Sequence, residues 1–275
     1  MTNTNISLRP IHYASISGGK DSLYMLGLIL QNQDKYPLDL VVNFDLEIDW
    51  QVAKNVVTEM EKRCKLANVP FVRIKPKKSW KELYDKYGFP NGKARWCNSE
   101  YKLSCKKQLN EWIKKQNCRP IAYIGFCADE TKRFKYEVGT EDWKIQDCCY
   151  PLAEEGIAES DILEWAQKQP IFGDYYKNLP RMGCQLCPYL TMKELAYLHE
   201  SEAQKFNEYF RFVKETEEMI SKKGRSWKFK NYGGEIIKNR VINKWVPKLK
   251  EEQQNIKYKQ LSLFEGKKVQ NFRNW

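Results

Sequence analysis

Three observations predict an α/β protein built on a doubly wound parallel sheet, with a helical, basic C-terminal extension. Strand and helix signals alternate through the first half of the chain. A glycine pair sits where the first strand should give way to the first helix. Beyond about residue 150 the strand signals fade, and helical and basic stretches take over. With 275 residues, the chain is long enough to bury a full core. Hydrophobic residues make up 42% and charged residues 30%, the balance of a globular protein. No apolar run approaches the ~18 residues of a membrane-spanning helix, so no membrane partner is expected. The first ten residues are polar and lack the apolar stretch of an export signal, so a cytoplasmic location is expected.

Each element has its own signal. Residues 13–17 form a short strand ending at Gly18-Gly19, and Leu23, Leu26 and Leu30 follow at helical spacing. Residues 38–44 (LDLVVNF) are a continuous apolar run, as a strand covered on both faces should be. Val52, Val56 and Met60 mark a second helix, and residues 71–74 a third strand after the Val69-Pro70 break. Leu109, Trp112 and Ile113 mark a basic helix, and residues 121–125 a fourth strand. Ser160-Asp161 opens a helix bearing Ile162, Leu163 and Trp165. Residues 191–220 read as helical, with Phe206, Tyr209, Phe210 and Val213 on one face, and Gly233-Gly234 breaks the basic remainder. This gives a nucleotide-binding α/β region over 1–155, a helical region over 156–220 and a basic extension over 221–275.

Charge is segregated along the chain. Residues 61–119 carry 17 basic and 5 acidic side chains, and residues 221–275 carry 15 and 4. Residues 120–220 carry 11 basic and 19 acidic side chains, within a net charge of +12. Such blocks suit a polyanionic partner, with nucleic acid ahead of a membrane surface. Two histidines make a His-based triad or a multi-His zinc site a poor fit. Nine cysteines, an odd number, point to buried thiols, a metal site or redox chemistry rather than a disulfide framework.

The strongest local signal is Ser17-Gly18-Gly19-Lys20-Asp21-Ser22. In an open parallel sheet, ligands bind beyond the carboxyl ends of the strands. Glycines let backbone amides approach a phosphate, and a helix starting at Ser22 adds the positive end of its dipole. Lys20 can neutralise phosphate charge, while Ser17 and Ser22 can donate hydrogen bonds. The Walker A spacing is not met, because Ala14 stands where its first glycine would be and Lys20 precedes Asp21.

This loop resembles that of the PP-loop ATP pyrophosphatases, also called adenine nucleotide alpha hydrolases, and most of all the phosphoadenosine phosphosulfate (PAPS) reductase family. Four further segments fit in order: Asn43-Phe44-Asp45; Arg95-Trp96-Cys97-Asn98 with Lys102; residues 125–131 (GFCADET) with Arg133; and Tyr150-Pro151-Leu152 before Ile162. The cysteine turn Gly183-Cys184-Gln185-Leu186-Cys187-Pro188 resembles that of the family's iron–sulfur members. The resemblance implies a Rossmann-like fold binding ATP and Mg²⁺, with cleavage between the α- and β-phosphates and adenylation of an acceptor. It implies phosphate binding by residues 17–22, a place for Asp45 near the adenosine or Mg²⁺, and a phosphate side lined by Lys102, Glu130 and Arg133. Lys20, Asp21, Lys102 and Arg133 are then the candidate catalytic residues.

Cys184 and Cys187 have a spacing that places two thiolates on one metal or cluster, or forms a redox pair. The resemblance adds Cys97, and Cys149 is taken as fourth ligand of a [4Fe-4S] cluster, with Cys105 and Cys148 as alternatives. Cys64 and Cys118 read as ordinary buried helix residues. The reductases' C-terminal catalytic cysteine has no counterpart, because no cysteine follows Cys187.

Gln260, Leu261, Ser262, Leu263 and Phe264 resemble the pentapeptide with which bacterial proteins bind the DNA sliding clamp. Upstream, Arg225, Trp227, Lys228, Phe229, Lys230, Tyr232, Arg240, Lys244 and Trp245 interleave cations with rings, which suits a nucleic acid, DNA before RNA. The expected function is ATP-dependent sulfur transfer on nucleic acid, such as DNA phosphorothioation, fed by a sulfur-donor protein. A sulfonucleotide reductase and a nucleotide-sensing, DNA-associated regulator are the alternatives.

Overall fold

A computed structural model describes residues 8–92, 94–135 and 147–265, with side chains to residue 256. The chain divides into two compact units, one ending at Cys184 and one beginning at Gln185.

The first unit is a five-stranded, all-parallel sheet. Its strands are β1 (Arg9–Ile16), β2 (Leu40–Phe44), β3 (Phe71–Ile74), β4 (Cys118–Tyr123) and β5 (Cys148–Cys149), in the order β3-β2-β1-β4-β5. Tyr13 pairs with Leu40 on one side and with Ala122 on the other. The chain leaves β1 toward β2 and later returns past it to β4, so the winding reverses between β1 and β4. Right-handed crossovers then place the connecting helices on opposite faces. Helices α1 (Lys20–Gln31) and α2 (Gln51–Leu66) follow β1 and β2, and α3 (Trp80–Tyr87) follows β3. Helix α4 (Leu103–Lys115) precedes β4 and covers the face bearing Tyr13, Leu40, Val42 and Ala122. Short helices α5 (Pro151–Glu154) and α7 (Tyr175–Asn178) flank α6 (Glu159–Lys168).

The expected strands are present with shifted ends. β1 begins four residues before the predicted strand, because Arg9–His12 pair with Cys118–Ile121. β4 begins at Cys118 and stops at Tyr123, so Cys118 is a strand residue and not a helical one. Its N–H groups need a ladder partner, and β1 supplies it. Trp112 is 57% exposed, while Leu109 and Ile113 are buried. The first unit runs past the predicted boundary at residue 155, because Glu159 on α6 reaches back to Lys20 on α1.

The second unit is helical: α8 (Met192–Ser201), α9 (Ala203–Lys222), α10 (Gly234–Arg240) and α11 (Val246–Glu265), with a five-residue π turn, Val241–Trp245, before α11. The predicted single helix over 191–220 is two, broken at Glu202. Phe206, Tyr209, Phe210 and Val213 form its buried stripe, as the spacing predicts. A Cβ on Gly234 would lie 2.7 Å from Val213 Cγ1, so α10 can cross α9 this closely only with glycine there. The Glu217 carboxylate accepts from the N–H groups of Phe229 and Gly234, each at 2.9 Å, and pins the loop before α10. In that loop Lys230 and Asn231 have φ of 49° and 66°, a left-handed backbone that costs most non-glycine residues energy. The clamp-like peptide at 260–264 falls on the backbone of α11, and its side chains lie outside the described residues. Among the described residues no helix is long and apolar enough to cross a membrane.

Candidate functional site

Residues 17–22 join β1 to α1 directly, and α1 begins at Lys20, two residues before the expected start. Gly18 takes φ +76°, and a Cβ there would stand 2.4 Å from the Ala53 carbonyl oxygen. Backbone of α2 thus occupies the space a side chain would need. The loop is tied from within: Ser17 N–H donates to Ser22 Oγ at 3.2 Å, and Ser22 Oγ donates to the Gly19 carbonyl at 3.0 Å. From outside, Tyr176 on α7 accepts the buried Lys20 N–H at 2.8 Å. The N–H groups of Asp21 and Ser22 have no acceptor among the described residues, which leaves the first turn of α1 open to an anion.

A cavity of about 380 Å³ opens beside this loop at the carboxyl ends of β1 and β4, where the winding reverses. Ser17, Gly19, Asp21 and Ser22 line its phosphate-like end. Tyr13, Phe44, Tyr123 and Ile124 give an apolar wall, and Lys106, Arg133 and Arg181 bring cations. A second loop, after β4, approaches closely: a Cβ on Gly125 would lie 3.2 Å from the Asp21 carbonyl oxygen. This loop carries Phe126, Glu130 and Arg133 to the wall. The Arg133 guanidinium stacks 3.8 Å above the Phe126 ring centre and pairs with Glu130.

Lys20 is 1% exposed and does not face the cavity. Its ammonium holds Asp21 at 2.7 Å and Glu159 at 3.2 Å. Burial pulls this lysine down, but the two carboxylates together raise it above its ordinary value, so it is charged. Burial raises the Asp21 carboxyl, and Lys20 opposes that shift. Cys127 is buried with its Sγ 3.9 Å from Asp21 Oδ1. Burial, with Asp21 and Glu130 nearby, pushes its thiol up to about 12, so it stays protonated.

Lys102, expected on the phosphate side, and Asp45, expected near the adenosine or Mg²⁺, do not line this cavity. Both act on Asp49, whose carboxyl burial pushes up to about 7, with Lys102 and Lys54 pulling down and Asp45 pushing up. Lys106, one helical turn beyond Lys102, lines the cavity instead. Arg181, Tyr13 and Tyr176 also belong to the wall and carried no motif signal in the sequence.

The four cysteines expected to hold a [4Fe-4S] cluster are spread over separate elements. Cys97 opens a π turn (Cys97–Lys102) before α4, Cys149 lies in β5, Cys184 closes the first unit and Cys187 lies in the second. The Cys149 thiol donates to Glu154 Oε1 at 3.1 Å. No group of three or more His, Cys, Asp or Glu side chains placed to hold a metal occurs among the described residues. The carboxylates of Asp21 and Glu130 in the cavity wall do suit Mg²⁺, which keeps several waters and takes its other ligands from a nucleotide's phosphates.

No family model matches the chain. Two uncharacterized proteins of Methanocaldococcus jannaschii are similar to it. MJ0973 is 27% identical over 205 residues, which is 73% of this chain and 47% of that protein. MJ0066 is 25% identical over 203 residues, 70% of this chain and 39% of that protein. The chain spans less than half the length of either relative. Among solved structures, the U34-tRNA thiolase NcsA from Methanococcus maripaludis with its [4Fe-4S] cluster is similar over 76% of this chain and 73% of that one. The sequence identity is 17% and the TM-score 0.41.

Proposed function

We propose that this cavity binds ATP and that the protein cleaves it between the α- and β-phosphates, passing adenylate to an acceptor. The observation that carries the reading is the open amide end of α1, reached through Ser17-Gly18-Gly19, facing a cavity at the sheet's reversal point with three cations in its wall. The phosphates would lie against the Asp21 and Ser22 amides and the Ser17 and Ser22 hydroxyls. The nucleoside would lie along Tyr123 and Ile124. Asp21 and Glu130 would hold Mg²⁺, which supplies charge neutralisation on the phosphates. An acceptor oxygen attacks the α-phosphorus, the bond from that phosphorus to the bridging oxygen breaks, and pyrophosphate leaves with the electron pair. The helix dipole, Arg133 and Arg181 stabilise the charge that gathers on the leaving group. Lys20 acts one step back, fixing Asp21 against Glu159.

The acceptor we infer is a nucleic acid, and the adenylate prepares it for sulfur from a donor protein, as in DNA phosphorothioation. The exposed Arg225, Lys228, Tyr232, Arg240 and Lys244 of the second unit support a polyanionic partner. The PAPS reductase resemblance supports the nucleotide and sulfur chemistry together. A sulfonucleotide substrate would need no α–β cleavage, so the product analysis separates the two. Purified protein with Mg²⁺-ATP is expected to release pyrophosphate and not orthophosphate. Arg133→Ala, at an exposed side chain that should leave folding intact, is expected to slow that release about 10- to 100-fold. Tight binding of PAPS or adenylylsulfate with no pyrophosphate from ATP would replace this reading with the reductase.

A further inference from the structure

Lys106, like Arg181, is a cation of the cavity that the sequence did not single out. It sits in the second turn of α4, and its side chain shares the wall with Tyr13, Ser15 and Phe44. The helix is held in place beneath it. Leu109 and Ile113 are buried in the core against the sheet, and Asn110 Oδ1 accepts from the Tyr13 hydroxyl at 3.3 Å. Lys106 is therefore carried on a fixed element.

The other charged groups of the site have partners. Lys20 has Asp21 and Glu159, and Arg133 has Glu130. Lys106 makes no ion pair and no hydrogen bond with any described residue, although it is half-buried. Burial first, and then the Lys135 ammonium, hold it below the ordinary lysine value, and Cys148 and Asp147 recover only part of that. A desolvated ammonium without a counter-charge is costly, and an anion brought by a ligand is the usual compensation.

Resting on the ATP reading above, we propose that Lys106 contacts the bound nucleotide itself, its ammonium pairing with a phosphate oxygen. In that role it recognises charge and not the base or sugar. Loss of the contact should weaken ligands in proportion to their phosphate charge and leave the bare nucleoside alone.

The test is calorimetric binding of ATP, pyrophosphate and adenosine to the full chain and to Lys106→Met, Lys106→Arg and Arg133→Ala. Lys106→Met is expected to weaken ATP and pyrophosphate about 10- to 100-fold, with adenosine affinity unchanged and the unfolding midpoint not lowered. Lys106→Arg should recover much of the ATP affinity. For the wild type, ATP affinity should fall as pH rises toward the lysine range, because Lys106 loses its proton early. In Lys106→Arg that alkaline limb should move up or vanish. If Lys106→Met binds ATP like the wild type while Arg133→Ala does not, the assignment of Lys106 fails and the ATP site stands. If Lys106→Met weakens adenosine as much as ATP, the residue is structural and the assignment fails. If the wild type binds neither ATP nor pyrophosphate, both readings fall together.

Discussion

At the scale of single residues, the site is decided by where charges are buried. Lys20 and Asp21 are adjacent in sequence, and the buried Lys20 ammonium ties Asp21 to Glu159, both carboxylates staying partly exposed. Lys20→Ala would leave two carboxylates without their cation, so its phenotype would mix folding with function. Asp49 offers a cleaner titration. Its folded carboxyl is pushed up to about 7 by burial, against an unfolded value near 4. A raised carboxyl holds its proton in the folded state, so its contribution is fully present below about pH 4 and is lost as pH rises through about 7. Asp49→Asn should therefore gain stability relative to the wild type across that window, by on the order of 2 kcal/mol at its upper end. Urea unfolding at a series of pH values checks it, and a difference that does not change with pH would show that Asp49 is not the buried acid.

At the scale of elements, the junction of β1 with α1 is braced by parts distant in sequence. Gly18 lies against α2, Gly125 against the start of α1, and Tyr176 on α7 caps the Lys20 amide. Tyr176→Phe removes that acceptor and strands a buried N–H, at a cost of about 1–3 kcal/mol. Chemical denaturation measures it, and an unchanged midpoint would mean the loop finds another acceptor. The glycine loop and the buried run of β2 were legible because local chemistry dictates them. Two glycines have few other uses between a strand and a helix, and β2 is apolar apart from Asn43, whose buried amide donates to the Ile16 carbonyl. Lys106 was not legible. The π turn Cys97–Lys102 adds an extra residue to the helical path just before α4. Each extra residue rotates the downstream helix by about 100°, so the face of the basic helix does not continue from Arg95 and Cys97. Arg181 and Tyr176 come from segments without periodicity, and only the tertiary fold brings them to the wall.

At the scale of the whole molecule, the blocks of charge read from the sequence bear on partners more than on the fold. Residues 221–275, with 15 basic and 4 acidic side chains, fall in the second unit, where Arg240 stacks 4.8 Å from the Tyr232 ring centre. If these cations meet phosphates, the logarithm of nucleic-acid affinity falls linearly with the logarithm of salt concentration. The double variant Arg240→Ala/Lys244→Ala should then reduce that slope by about 2. Fluorescence anisotropy with a single-stranded oligonucleotide and with tRNA reads both, and affinity indifferent to salt would rule out the phosphate contacts. The sheet of the first unit has a consequence of another kind. Its edge strands are brief: β5 has two residues, and β3 has four, set between Pro70 and Pro76 and bearing Arg73, which is salt-bridged to Glu61. Proline offers no amide to a neighbouring strand, and a charged side chain on so short an edge discourages pairing. Among the described residues, both edges of the sheet thus discourage growth by strand addition. Copies of this protein should resist edge-to-edge stacking into fibrils, and a binding partner must use side chains and pockets instead of lending a strand of its own.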